Sequence, residues 1–186
     1  MSTKSPRPGR PRAISREMLA EAACDLFLEQ GYDGTSVSAI ARRAGIARSS
    51  FFNYAASKAE LLWGPLDDRI AAAGDALDAG ESVRDALRRI GEGAAPDALA
   101  LAFANAEAMR IEEHLEAEAA LRASRVARVV ARGLRRDGRD ALEADVHAGA
   151  YGAAVVAALR AWSGAGAGAT SLAAHVDRAL DIAATR

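Results

Sequence analysis

The 186 residues carry 24 Lys and Arg against 25 Asp and Glu, and 51% are hydrophobic, much of that alanine, with aromatics at only 5%. This composition favours close-packed helices over β-structure, and the length allows one large domain or a small and a medium one. It excludes an internal disulfide framework, since Cys24 is the single cysteine, and a bilayer-spanning helix, since the longest uncharged apolar run, 148–159, is too short. A net charge of −1 does not by itself suggest a nucleic acid. The distribution does: residues 1–63 hold nine Lys/Arg and six Asp/Glu, the remainder fifteen and nineteen. A basic front joined to an acidic rear fits nucleic-acid binding at one end only.

Residues 1–13 read as a flexible basic arm, with Lys4, Arg7, Arg10 and Arg12 interleaved with prolines and Gly9. Gly9-Arg10-Pro11 is an extended, arginine-bearing segment suited to a narrow A·T-rich minor groove; a solubilising tail is the alternative. The arm lacks the apolar run of a signal peptide, so a cytoplasmic protein is expected. Ser15 is a candidate N-cap for a first helix, with Glu17 in its first turn and Ile14 and Leu19 at the staple positions. Leu19, Ala22, Ala23, Leu26 and Phe27 supply its buried stripe, Gly31 ends it, and Tyr32-Asp33-Gly34 forms a turn.

The stretch 35–58 organises the rest. Thr35 or Ser36 caps a second helix in which Val37, Ile40, Ala41 and Ala44 share one face. Gly45 turns the chain, and a third helix follows from about Ala47. Ile46, Phe51 and Tyr54 anchor it, leaving Arg48, Ser49, Ser50, Phe52 and Asn53 outward. Small Ala41 permits a close helix crossing, so the spacing predicts a helix-turn-helix whose outer face enters a major groove. An ordinary helical hairpin shares part of this pattern. Ser36, Ser38, Ser49 and Ser50 are then phosphate and base contacts rather than nucleophiles, and Tyr54 is counted with them. Ser57 to Glu60 spells a capping box opening a fourth helix, which carries Leu61, Leu62, Leu66, Ile70 and an early Pro65.

Beyond this, glycines and Pro96 punctuate helices at about 64–79, 81–91 and 96–113. A long amphipathic helix, 115–136, follows, with Arg125, Arg128, Arg132, Arg135 and Arg136 on one face and a Glu118–Arg122 pair. Two more helices, at about 140–163 and 171–184, flank the connection 164–169. Their broad small-residue and apolar faces exceed what one small domain can bury, which predicts a homodimer through a four-helix bundle. His114, His147 and His175 are far apart, Asp137 and Asp140 fall short of a calcium loop, and no phosphate loop or catalytic triad is present. Neither an enzyme nor a metal or other cofactor is expected.

The segment LFLEQGYDGTSVSAIARRAGIARSSFFNYAASKAELL, 26–62, resembles the DNA-binding domain of TetR-family transcriptional regulators. The resemblance implies an all-α protein: arm 1–13, a helix-turn-helix domain 14–62, and a helical ligand-binding and dimerisation domain 63–186. It implies that the third helix is the recognition helix, that Lys58 touches a phosphate, and that the last two helices form the dimer. Phe52 lacks the hydroxyl that a tyrosine commonly offers DNA there, and Ala55 stands where an aromatic often sits, which is expected to loosen helix 3 against helix 4. The segment 157–180 also resembles regulators whose effector is acyl-CoA-like. Phe103, Met109, His114 and Tyr151 are candidates for an effector pocket with walls from 81–160, and Arg128 and Arg132 for its anionic headgroup; plain core is the alternative for the first four. The expected function is a homodimeric, ligand-responsive repressor on a palindromic double-stranded operator. A DNA-binding protein with no effector, and a helical enzyme with an accessory DNA-binding domain, are the alternatives.

Overall fold

The computed structural model describes residues 14–166 and 168–184, so the basic arm with Arg10 and Arg12 lies outside the described residues. Among these are ten helices and no strand. The first helices start where hydroxyl caps allow. In α1, Arg16–Gln30, the Ser15 hydroxyl accepts the Met18 N–H, and Gly31 at φ 80° closes the other end. In α2, Val37–Arg43, it is Ser36 that caps, accepting the Ala39 N–H at 3.1 Å. Thr35 is instead buried and donates to Gly31 O at 2.8 Å, fastening the preceding turn. After α3, Arg48–Phe51, comes α4, Lys58–Asp78. Its capping box is half as expected: Ser57 Oγ accepts the Glu60 N–H, but Glu60 Oε2 reaches back to the Ala56 N–H.

The C-terminal helices are α5, Val83–Arg89; α6, Ala98–Ala104; α7, Ala106–Met109; α8, Glu112–Arg136; α9, Ala141–Gly164; and α10, Leu172–Ala184. The helix expected over 96–113 is therefore divided. Asn105 leaves helical geometry, and Arg110 takes left-handed φ 51°, a turn that no glycine marks.

One apolar core runs from α1 to α10 and includes Leu19, Phe27, Ile40, Phe51, Trp63 and Trp162. Side chains of this size each contribute about 1.5–3 kcal/mol when buried. Helices α8 and α9 pack so closely that a Cβ on Gly152 would lie 2.3 Å from Ala123 O. Arginines join α8 to α4. Arg122, only 4% exposed, donates to Asp67 through Nε at 3.1 Å and Nη2 at 2.7 Å, and its guanidinium lies 4.8 Å over the Trp63 ring. Arg125 reaches the same carboxylate at 2.8 Å, Arg132 pairs with Asp78 at 3.0 Å, and Arg136 donates to Leu77 O. The expected Glu118–Arg122 pair is present. The arginine stripe is thus largely an inter-helix clamp.

Candidate functional site

The α2–α3 unit owes its shape to a few apolar contacts and one turn. Gly45, at φ 74°, lets the Ile46 N–H close on Ala41 O at 2.9 Å. Ile40, Ala41 and Phe51 are fully buried, and Ala55 fills its place at 3% exposure without an aromatic ring. Ala44, Ile46 and Tyr54 pack at the edge of the core. Arg43 ties α2 to α1 through Glu29 at 2.6 Å.

Most of the expected DNA-contacting side chains share the exposed surface. Ser36, Ser38, Arg48, Ser49, Phe52 and Asn53 are exposed; Ser50 and Tyr54 are half-buried. The third helix, α3, is shorter than expected. Asn53 and Tyr54 follow α3 in a turn, their N–H groups donating to Ser50 O and Phe51 O. Phe52 has no hydroxyl to offer, but the Arg48 guanidinium sits 5.6 Å over its ring, and Phe51 meets it edge-on. Phe52 therefore supports Arg48, restricting a long cation that would otherwise sweep through solvent. Lys58 is placed inward of a simple surface contact. Its Nζ donates to Tyr32 O and, at 3.0 Å, to Thr35 O, and lies 4.0 Å from the Tyr32 ring centroid. Burial lowers its pKa, with Asp33 opposing. Two of three ammonium protons are thereby engaged, leaving one for a phosphate.

The expected pocket residues do not come together. Met109 is fully buried, and Phe103 packs edge-on against Trp63 at 5.7 Å. His114 lies outside, its ring 4.5 Å from that of Tyr32 and Nε2 3.4 Å from Asp33. Tyr151 is half-buried on α9, Arg128 is exposed, and Arg132 is engaged with Asp78. None of the six lines the apolar cleft that the chain does form. That cleft, of about 780 Å³, lies between α1, α4 and α6. Ala20 and Cys24 come from α1, Leu61, Leu62 and Pro65 from α4, and Leu101 and Ala104 from α6; Asp97 and Ser163 complete it. Its walls therefore include α1 and α4, outside the 81–160 expected. The signal for it was the helix-breaking run 91–96 together with small residues at 20, 98 and 104.

Cys24 donates to Ala98 O across the cleft floor at 3.6 Å. Burial, reinforced by Asp25, Asp97 and Glu21, pushes its pKa up to about 12. Since the thiolate is the nucleophile, native protein at pH 8 should resist iodoacetamide, whereas urea-unfolded protein should react at the rate of a free thiol. Mass spectrometry over a time course measures this, and rapid native labelling would contradict it. Among the described residues, no three His, Cys, Asp or Glu side chains gather as a metal site, and no helix is long and apolar enough to cross a membrane.

Residues 19–62 match the family described as bacterial regulatory proteins, tetR family. Over 85 residues the chain is 40% identical to a protein of Mycobacterium tuberculosis named as a mycofactocin biosynthesis transcriptional regulator, MftR, covering 44% of this chain and 43% of that one. It is 36% identical over 76 residues to the regulator TcmR of Streptomyces glaucescens, covering 39% and 34%. The chain spans less than half the length of either relative. Among solved structures it is similar to FadR of Thermus thermophilus, a TetR-family repressor in complex with lauroyl-CoA. The TM-score is 0.53 over 90% of this chain and 92% of that one, at 23% identity, a likeness of fold. The amino-terminal helix-turn-helix of this chain, with an all-helical body behind it, thus matches the DNA-binding domain of the tetR family of bacterial regulatory proteins over residues 19–62.

Proposed function

We propose that the protein is a cytoplasmic, homodimeric, ligand-responsive repressor that reads a palindromic operator through α2 and α3. The observation that carries this is the α2–α3 surface itself. Arg48, Ser49 and Asn53 stand exposed on one unit whose inner side is locked by Ile40, Ala41 and Phe51. Side chains of these types reach base edges in a major groove, and a two-fold dimer presents two such units to two half-sites. The arm with Arg10 and Arg12 would add minor-groove and phosphate contacts. For the effector, the cleft of about 780 Å³ is of ligand size. FadR's bound lauroyl-CoA supports a largely apolar ligand, whereas the anionic headgroup of an acyl-CoA finds less support. The arginines expected to hold its headgroup lie away from this cleft.

Duplexes selected from a random pool by the purified protein should contain an inverted repeat. Arg48→Ala or Asn53→Ala should each cost about 1–3 kcal/mol of affinity for that sequence and relax preference at nearby bases. If both variants bind selected and shuffled duplexes as the parent does, the reading surface lies elsewhere.

A further inference from the structure

We propose that the cleft between α1, α4 and α6 is the effector site, and that its ligand is an amphiphilic cation, an apolar body carrying a protonated amine. This rests on the ligand-responsive reading above and adds the place and the charge of the ligand.

The wall of the cleft is chiefly apolar, with Ala20, Leu61, Leu62, Pro65 and Leu101 facing it. Leu101 is 43% exposed, an apolar surface that a ligand would cover. The charges around it are not equivalent. Arg16 Nη2 donates to Glu60 O at 2.7 Å, and Nη1 lies 3.9 Å from Asp68. Arg69 Nη1 donates to Ile90 O at 3.0 Å and to Glu92 O at 2.8 Å. Both cations turn terminal nitrogens towards acceptors of the protein, while Arg16 Nε is buried without a hydrogen-bond partner among the described residues. The carboxylates are less engaged. Glu21 is exposed and makes no hydrogen bond or ion pair among the described residues. Asp97 spends Oδ1 on the Ala100 N–H at 2.9 Å in a part-buried bond, although the residue as a whole is exposed at the rim. Both raise the pKa of the Cys24 thiol, so their field reaches the cleft floor. Burial raises that of Asp97 itself, against the capping N–H groups and Arg69. A carboxylate beside an apolar wall attracts a cation more strongly than one in open water. An apolar chain with an ammonium end meets both demands.

The position also supplies coupling. One wall is α1, which Glu29 and Arg43 tie to α2 of the DNA-reading unit; the others are α4, α6 and, at Ser163, the end of α9. A ligand there touches the reading unit and the bundle at once. Its binding energy therefore differs between arrangements that open or close the gap, which is what linkage to operator affinity requires.

The test uses matched ten-carbon probes below their micellar concentrations: decylamine, decanol and decanoate, with lauroyl-CoA beside them. Binding is read from the fluorescence of Trp63 and Trp162, which adjoin cleft residues Leu62 and Ser163, and operator binding is measured in the same samples. Decylamine should bind about tenfold more tightly than decanol or decanoate, the order expected of one partly desolvated charge pair. The double change Asp97→Asn and Glu21→Gln keeps a capping side chain at the start of α6 and should erase that preference. Ala104→Trp, at an exposed position on the cleft wall, should block decylamine. Tighter binding of decanoate or lauroyl-CoA overturns the charge assignment. Decylamine binding that survives Ala104→Trp overturns the place, and no binding by any probe overturns the site. Failure of the parent protein to select any duplex would instead overturn the regulator reading, whatever the probes do.

Discussion

Asp67→Ala is expected to destabilise the fold by about 2–3 kcal/mol and to lower Tm by roughly 4–12 °C. The reason lies with its partner. The Arg122 side chain is only 5% exposed, so its charge has little access to water, and Asp67 meets it with both oxygens. Removing the carboxylate leaves a buried cation short of its main acceptor, a change that typically costs about 3–5 kcal/mol. The smaller figure allows for Glu118, which still pairs with Arg122, and for the 21% exposure of Asp67. Arg122→Met should cost less. Asp67 would keep Arg125 at 2.8 Å and some contact with water, and methionine would fill the space over Trp63. Urea titration of the two variants measures the asymmetry. An Arg122→Met variant less stable than Asp67→Ala would show that the guanidinium acts mainly by packing.

In the proposed homodimer, Ala153→Arg is expected to separate the subunits, raising the dissociation constant roughly 100-fold or more, and to weaken operator binding with it. In the single chain Leu142 is 75% exposed and Val146 64%, and Gly149, Ala153 and Ala157 continue the same side of α9 at helical spacing. Among the described residues, nothing lies within 4 Å of where a Cβ of Gly149 would stand. A face that is apolar at one end and small along its length suits close approach of a second copy, as Gly152 permits that of α8 on the adjoining side. Two-fold pairing would bring two arginines, one from each subunit, into the contact. Because Ala153 is exposed, the subunit itself should keep its helix content and its unfolding midpoint at low concentration. Sedimentation velocity over a concentration series reads the association. A variant that remains dimeric would move the interface off this face. Loss of the pair also removes the gain from joining two half-sites, so operator affinity falls although no DNA contact has changed.

The parts legible in the sequence were those set by neighbours along the chain. Ser15, Ser36 and Ser57 cap the helices as their positions suggest, since a side-chain oxygen three residues from an orphan N–H needs only local geometry. The inward face of α2 followed from period alone. Thr35 and Ser36 could not be separated that way, because both carry a hydroxyl; their roles divide only when the α1–α2 turn is folded. Arg110 was hidden for a related reason, being a left-handed residue without glycine. The cleft escaped for a different one. Phe103, Met109, His114 and Tyr151 were singled out as large or polarizable, but large side chains fill space, and Met109 and Phe103 went into or against the core. Several of the residues that line an opening are those too small to close it, such as Ala20, Ala98 and Ala104, and nothing local tells an alanine beside a void from an alanine beside another helix.

The 21 residues of α4 make a rod about 30 Å long, separated from the end of α3 by six residues. No long connector stands between the reading unit and the bundle to absorb movement. A tilt of about 5° at the far end displaces the first turn by about 3 Å, close to the 3.4 Å rise of a base pair. The rod is not uniformly stiff. Pro65 has no N–H to return to Leu61 O, and at Gly64 beside it the Arg16 guanidinium occupies the place of a side chain. A glycine and a proline, side by side and a third of the way along, make the compliant joint of an otherwise rigid lever, and the wall of the cleft runs past that joint.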